Sequence, residues 1–297
     1  MKLVKPITYT ESMLISSTAT ETYTAWVAGT TYALNAYAIY SNVLYQSLQA
    51  SNVGHQPDTS PTWWQVVSAD NKHSMFDSYI NTQTTATTSL TVKVAPGNRV
   101  NTLGFLNMTG ATSLVVTATD GPSGPNIYSK TISLDSTIIV DWYGYFFEPF
   151  RLSSEVILQD FPPYTNPYIQ MVLSTASGTV GIGNWIFGTG YVIGNTQSGA
   201  SASVRDFSTK DADTYGNVVF TKRAFSKRMS ATAFVQNSNL TYVQKLLSDV
   251  RATPTLWIGT DYSDYSPLNI FGYYKDFSIE ISYPTFSLCK LEIEGLI

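Results

Sequence analysis

Side chains that could bind a sugar are concentrated between residues 23 and 70 of the 297-residue chain. Planar aromatic rings stack on the apolar C–H faces of sugar rings, and amide or imidazole groups at the rim of such a site bind the sugar hydroxyls. The segment contains both kinds of side chain, because a polar stretch is followed by two adjacent tryptophans. The candidate carbohydrate-binding residues are Trp26, Tyr45, Asn52, His55, Trp63 and Trp64.

The same rings are also candidates for a hydrophobic core. The segment is only about 45 residues long and contains no disulfide, so it has little else with which to bury apolar area. At least one tryptophan must therefore be core, and Tyr40 and Tyr45 are further candidates because they lie on a predicted hairpin. The sequence leaves both sugar binding and pure packing open for this segment.

The ionisable side chains do not form a known catalytic motif. The chain has two histidines, His55 and His73, and a Ser-His-Asp set could be built on either, but no Gly-x-Ser-x-Gly elbow precedes a helix. Glu148, Glu155 and Asp160 are the acids clustered near aromatic residues, and two acids from any part of a fold can form a glycosidase pair. A solvated or capping role is favoured for them, so no catalytic residue is assigned and no enzymatic activity is predicted.

Neither metal nor cofactor binding is predicted. The sequence has no His-x-x-x-His pattern, and Asp211 and Asp213 lack the spacing of a calcium loop. Cys289 is the single cysteine, which excludes an intrachain disulfide. Its apolar neighbours indicate a buried, unreactive thiol in a strand.

Charge and hydropathy argue against two classes of partner. Charged residues make up 13% of the chain and the net charge is −4, so nucleic acid is not an expected partner. No stretch approaches the roughly 18 apolar residues of a membrane helix, and the first residues lack the apolar core of a signal peptide. We therefore expect no membrane insertion. We also expect synthesis in a cytoplasm, because a single unpaired thiol suits a reducing compartment. A solvated strand face or an interface is expected for the basic cluster Lys222, Arg223, Lys227 and Arg228.

The surface composition favours association between copies of the chain. Hydroxyls, amides and aromatic rings take the place of about half the usual share of charged residues. Desolvating an unpaired ion costs several kcal/mol, whereas hydroxyls and amides cost less and pair easily. A homo-oligomer is therefore the expected state.

Turn signals and short alternating runs predict a mainly β fold. Strands with their turns recur about every 8–12 residues between 90 and 190, which is typical of a β-sandwich or jelly roll. The run from Ile138 to Trp142 is one of these predicted strands. The predicted regions are an N-terminal arm at 1–22, a small aromatic-rich β module at 23–70, a β-sandwich at 71–190 and a β-rich C-terminal α+β domain with one helix at 191–297.

Two local elements can be predicted in more detail. Residues 38–40 and 43–47 are short apolar runs separated by Ser-Asn, which predicts a tight hairpin. A helix is predicted after Ser238 or Asn239, either of which could cap it, and it ends before Pro254. The spacing of its apolar face predicts burial of Leu240, Val243, Leu247 and Val250.

Four stretches of the 23–70 segment form a pattern: a tryptophan with a Thr-Tyr pair, a tyrosine in a later strand, a polar turn and a final tryptophan pair. These stretches are Trp26–Tyr32, Val43–Ser47, Asn52–Pro57 and Trp63-Trp64. The pattern resembles the small carbohydrate-binding modules of bacterial chitinases. Asn35-Ala36 stands where that family has Gly-Asp, so a different turn is expected. The resemblance implies that Trp63 or Trp64, together with Tyr45, forms the binding face.

The remaining two-thirds of the chain contains further characteristic stretches, at 75–77, 142–149, 205–210, 222–228, 251–254 and 291–297. In these the chain resembles bacteriophage tail-module proteins, and residues 107–186 also resemble galactose-binding-like jelly rolls. The resemblance implies a tail-tip or baseplate component of a virion, present as a symmetric ring beside other tail proteins, with a module that contacts host-surface polysaccharide. The alternatives are a freestanding carbohydrate-binding protein and a glycan depolymerase that uses Glu148 or Glu155.

Overall fold

The computed structural model describes residues 1–137, 139–212, 214–260 and 263–296, with only the backbone described at 263 and 264. Ile138, Asp213 and Ile297, which belong to stretches considered above, lie outside the described residues. The prediction of a mainly β chain is confirmed.

The strands are distributed along the whole described chain, and two α-helices interrupt them in the described part. The helices are α1 (Trp142–Phe147) and α2 (Leu240–Asp249). The strands are β1 (Lys2–Pro6), β2 (Leu14–Ser17), β3 (Tyr37–Tyr40), β4 (Val43–Ser47), β5 (Trp64–Ala69), β6 (Thr84–Val94), β7 (Thr102–Leu106), β8 (Ser113–Asp120), β9 (Asn126–Ser133), β10 (Val156–Leu158), β11 (Pro167–Ile182), β12 (Asn184–Val192), β13 (Asn195–Thr196), β14 (Ser201–Asp206), β15 (Thr209–Ala212), β16 (Val218–Thr221), β17 (Phe225–Gln236), β18 (Thr255–Ile258), β19 (Asn269–Glu280) and β20 (Phe286–Gly295).

The chain divides into two compact units, and the first combines residues 1–8 with 186–296. Its sheet has the strand order β12-β1-β18-β19-β20-β17-β13, and β14 also pairs with β17. Val243 and Leu247 of α2, with Val250 directly after it, are buried in the core of this unit as the spacing predicts, whereas Leu240 is only partly buried and packs against that core. Asn239 occupies the N-cap position, but its side chain makes no capping hydrogen bond. Cys289 is buried in the same core, and burial raises the pKa of its thiol to about 11.

The first residues are the largest departure from the predicted organisation. The segment 1–22 was expected to be an irregular arm, but it contains β1 and β2. Strand β1 is paired antiparallel with β12 on one side and with β18 on the other. Leu3 and Val4 are fully buried. A five-residue strand is too short to show a clear period-2 pattern, and its partners lie more than 180 residues away in sequence, so local signals could not reveal it.

The second unit spans residues 9–185 and contains a sheet with the strand order β2-β6-β11-β8-β9. Alternate residues of its inner strands are buried, which is the period-2 pattern of a sheet with one covered face. These buried residues are Leu90, Val92, Val94, Leu114, Val116, Ala118, Ile169, Met171 and Leu173. The curled antiparallel sheets agree with the predicted β-sandwich, whereas the finer resemblance to galactose-binding jelly rolls stays a prediction.

The predicted strand from Ile138 to Trp142 is wrong in the part that is described. Residues 139–141 lie in no strand, and α1 begins at Trp142. The cause is a helix cap, because the Asp141 Oδ1 accepts a hydrogen bond of 2.6 Å from the backbone N–H of Gly144. The β-favouring residues Ile139 and Val140 concealed this capping signal.

The aromatic-rich module forms its own sheet of order β3-β4-β5. The predicted hairpin is confirmed: β3 and β4 pair through a two-residue turn whose residues, Ser41 and Asn42, have φ values of +49° and +65°. Both values lie in the left-handed region that a tight hairpin turn requires. Asn35 also has a positive φ, +64°, so an asparagine adopts the left-handed conformation at the turn where the chitinase modules have Gly-Asp.

Candidate functional site

Two of the candidate sugar-binding rings are core residues of the module. The Trp64 side chain is only 2% exposed, its Nε1 donates a hydrogen bond of 2.8 Å to the His55 carbonyl, and its ring meets that of Tyr32 edge-on at 5.0 Å. Tyr45 is buried beside them, in a cluster that also contains Ala38. Neither Trp64 nor Tyr45 therefore presents a ring face to a ligand, which corrects their assignment as binding residues.

Asn52 also has a structural role in the module. Its backbone N–H and carbonyl both hydrogen-bond to Tyr32, and its side-chain Nδ2 donates to the Ser47 Oγ at 3.0 Å. The residue is fully buried, so it joins the loop to the strands and does not reach a ligand. This corrects its assignment to the rim of a sugar site.

Trp63, His55 and Trp26 are the candidates that remain half-exposed. The His55 imidazole stacks on the Trp63 indole, with ring centroids 3.9 Å apart and an angle of 13° between the planes. Trp26 lies edge-on to Tyr40 at 5.6 Å. The half-exposed part of the predicted site is therefore the Trp63–His55 stack, with Trp26 as a second half-exposed ring of the same module.

The sequence reasoning missed a buried histidine held between two carboxylates. The Nδ1 of His73 lies 2.5 Å from the Asp70 Oδ1, and its Nε2 lies 2.9 Å from the Glu11 Oε2. Asn42, in the hairpin turn, donates to the same Glu11 oxygen at 2.9 Å, and Tyr9 donates to it at 3.3 Å. The contact with Asp70 could have been noticed from its three-residue spacing, but Glu11 is too distant in sequence to carry a signal.

The electrostatics of this group favour a protonated histidine. Burial acts to lower the pKa of His73, but the hydrogen bond and charge of Asp70, together with Glu11, outweigh it and raise the pKa. Because each imidazole nitrogen faces a carboxylate, neither is placed to take a proton from a serine. His73 therefore ties three segments together, and the Ser-His-Asp set considered for it is not formed.

The His73 group gives a pH dependence of stability with a definite sign. A histidine whose pKa is higher in the folded state than in the unfolded chain stabilises the fold fully below its unfolded pKa of 6.5, and this contribution is lost as the pH rises through the folded pKa. We expect the urea midpoint of the protein to fall as the pH rises above the unfolded pKa of 6.5, and the His73→Asn variant to lose most of that fall. His55→Asn is the matched control, because it removes the other histidine and leaves the group intact. Equal pH profiles for the wild-type protein and His73→Asn would contradict this role.

The acids considered for glycoside hydrolysis have partners of their own. Glu148 pairs with Arg151 at 3.1 Å. Asp160 contacts the Lys130 Nζ at 2.7 Å and accepts a hydrogen bond from the Tyr128 hydroxyl at 3.0 Å. Slight burial acts to raise the pKa of Asp160, but the bonds from Lys130 and Tyr128 outweigh it and lower the pKa. A general acid needs the opposite shift.

Among the described residues, neither helix has the length or the apolar content needed to cross a membrane. The described residues also contain no group of three or more histidine, cysteine or acidic side chains arranged to hold a metal ion. Comparison of the chain with models of known protein families, with curated proteins and with solved structures gave no match.

Proposed function

We propose that this protein is a structural component of a bacteriophage tail tip or baseplate, assembled as a homo-oligomeric ring beside other tail proteins. The resemblance of its sequence to tail-module proteins supports the virion part of the proposal, and its low charge content supports permanent packing. In the same proposal the 23–70 module contacts host-surface glycan through Trp63 and His55. The observation that carries the assembly role is an aromatic segment at residues 139–150.

The aromatic segment exposes an unusual amount of apolar surface. Six rings are each between 61% and 83% exposed, and each could bury roughly 150–250 Å², so together they expose roughly 900 Å². The largest apolar patch of a typical monomer is about 300–600 Å², and a stable interface covers about 800 Å² on each partner. The segment alone therefore offers the area of one side of a stable interface. The rings are Trp142, Tyr143, Tyr145, Phe146, Phe147 and Phe150.

The acidic groups of the segment already have partners in it or directly beside it. Asp141 caps α1 through Gly144, and Glu148 pairs with Arg151. Covering the segment would therefore leave neither acid without a partner, which avoids the cost of burying an unpaired charge. The segment thus combines a large apolar area with acids that already have partners, as a subunit interface requires.

The geometry of α1 favours several copies of the chain as the occupant. Successive helical residues point in directions 100° apart, so the five exposed aromatic residues of this six-residue helix cover about 200° of its circumference, and only the side of Gly144 lacks an exposed ring. A flat partner surface would cover one side only. Copies arranged around a symmetry axis cover each other's segments from more than one direction.

Removing the rings is expected to dissociate the assembly without unfolding the chain. We expect the wild-type protein to sediment as a closed oligomer at micromolar concentration, and the triple variant Trp142→Ser, Phe146→Ser, Phe147→Ser to sediment as a monomer. Because these rings contribute little to the core, the circular dichroism spectrum should not change. Sedimentation velocity with light scattering measures both states.

The control removes exposed apolar side chains elsewhere. Val66→Ser combined with Ile281→Ser should keep the oligomer, since these exposed residues lie outside the segment. A monomeric wild-type protein, or a triple variant that still assembles, would refute the role of the segment. A monomer that instead floats with lipid vesicles would assign the segment to a membrane surface. Electron microscopy of phage particles with the chain located tests the position in the virion.

A further inference from the structure

A second candidate ligand site lies in the first unit, on the hairpin formed by β14 to β17. Strand β14 pairs with β17 up to Asp206 and Phe225, and β15 pairs with β16 from Thr209 and Thr221 onward. Between the two pairs the ladder is interrupted, and Arg223 donates its backbone N–H to the Ser208 Oγ at 3.0 Å. Side chains from both sides of this interruption line one pocket.

This pocket, called the cavity below, is open to solvent and has a volume of about 470 Å³, within the range of about 300–1,000 Å³ that is typical of small-molecule sites. Val204 and Asp206 of β14, Ser208 of the connection and Lys210 of β15 line it. Alternate residues of a strand point to the same face, as Val204 and Asp206 do. The cavity is therefore lined by side chains from both strands and from the connection between them.

The lining combines apolar surface with positive charge. Phe220 and Phe225 are 68% and 55% exposed, and both contribute ring surface to the cavity. Lys210, Lys222 and Arg223 line it as well, and the Lys210 Nζ lies 5.8 Å from the centroid of the Phe220 ring. The cavity has three cations and, among its lining residues, one acid, so its net charge is opposite to that of the whole chain.

The acid in the cavity is held in its ionised form. The Asp206 Oδ1 accepts hydrogen bonds from the Ser208 N–H at 2.9 Å and from the Ser208 hydroxyl at 2.6 Å. These bonds, with smaller contributions from Lys210 and Lys222, lower the pKa of Asp206. A carboxylate in this position accepts hydrogen bonds from hydroxyl groups of a ligand.

The basic cluster of the sequence is divided by the fold. Arg228 pairs with the buried Glu294 at 3.1 Å, and Arg205 pairs with the same carboxylate at 3.0 Å. Lys222 and Arg223 instead line the cavity. One part of the cluster is therefore structural, and the other part is available to an anion.

We propose that this cavity binds a carboxylate-bearing sugar, such as a uronic acid residue of an acidic polysaccharide. Lys222 and Arg223 would bind the sugar carboxylate, the C–H face of the ring would stack on Phe220 or Phe225, and Asp206 would accept from the hydroxyls. An acidic sugar has a group for each of these three features. A nucleic acid presents a continuous row of phosphates, and only three cations line the cavity to bind them.

Titration calorimetry on the full chain with trigalacturonic acid tests the proposal. We expect submillimolar binding to the wild-type protein and at least a tenfold loss with either Lys222→Gln or Phe220→Ala, while the fully methyl-esterified trisaccharide binds at least tenfold more weakly than the acid. Lys245→Gln is the matched control, because it removes the same charge from an exposed position on α2 and should bind normally. Circular dichroism checks that the variants are folded, as expected for exposed side chains.

Three results would overturn the assignment. They are absence of binding by the wild-type protein, equal binding of the acid and its methyl ester, or full binding by both cavity variants. Tighter binding of a single-stranded DNA oligonucleotide, lost in Lys222→Gln, would also overturn it and assign the cavity to nucleic acid. None of these results depends on the aromatic segment or on Trp63, so the outcome is independent of the assembly proposal.

Discussion

Replacing Trp64 with alanine is expected to lower the free energy of unfolding of the 23–70 module by about 3–5 kcal/mol, the usual cost of truncating a buried tryptophan. Trp64 is 2% exposed and is the largest member of a cluster completed by Tyr32, Ala38 and Tyr45. The substitution also removes the hydrogen bond from the indole to the His55 carbonyl. Because so small a module has little other core, we expect the loss to unfold it locally.

Hydrogen exchange of the β3–β4 hairpin measures this effect directly, since its amides should lose protection in the Trp64→Ala variant. Trp63→Ala is the matched variant, because it removes a half-exposed neighbour of the same type. We expect it to keep most hairpin protection and to lose binding to chito-oligosaccharides, which tests the glycan part of the proposed function. The interpretation fails if Trp64→Ala leaves protection unchanged. Sugar binding that survives in Trp63→Ala would remove this ring from the glycan site.

Leu3→Ala is expected to destabilise the first unit by about 2–5 kcal/mol, the range for a large aliphatic residue truncated in a core. Leu3 is fully buried in the same cluster as Trp257 and the α2 residue Val243. Strand β1 lies between β12 and β18, so a cavity beside it weakens contacts that join separate parts of the unit. Leu3→Asp should prevent folding of this unit, because it places an unpaired charge in the core.

Urea denaturation followed by circular dichroism measures the loss. Lys5→Ala is the matched control on the same strand, because Lys5 is exposed, and it should change the free energy of unfolding by no more than about 0.5 kcal/mol. If the N-terminal segment were mobile and unpaired, Leu3→Ala and Lys5→Ala would lower the free energy of unfolding by equally small amounts. That result would contradict the position of β1 within the sheet.

Local elements with a strong pattern could be predicted from the sequence. The β3–β4 hairpin depends on two turn residues, and α2 depends on four apolar residues at helical spacing, so a short window contains all the information for each. The buried Cys289 also follows from its apolar neighbours. In contrast, α1 was missed because one capping residue, Asp141, outweighs the β-favouring residues before it.

For the candidate sugar site, the sequence shows the types of the side chains but not which of them are exposed. Trp63 is the last residue of a turn and Trp64 is the first residue of β5, and the two adjacent rings differ in exposure, since Trp64 packs in the core and Trp63 stays half-exposed. Sequence alone could not decide which, because the answer depends on where Tyr32 and Tyr45 pack. The Glu11–His73 contact and the cavity at Lys222 likewise join residues that only chain folding brings together.

The amino-acid sequence by itself determined that the chain is mainly β, where its tight hairpin turns and which face of α2 is buried, because these features follow from interactions between near neighbours. Only the tertiary structure decided that residues 2–6 form an inner strand, that Trp64 is core and that His73 lies between two acids. Each of these depends on partners far apart in the chain, and the free energy of burial that selects such partners leaves no local pattern in the sequence.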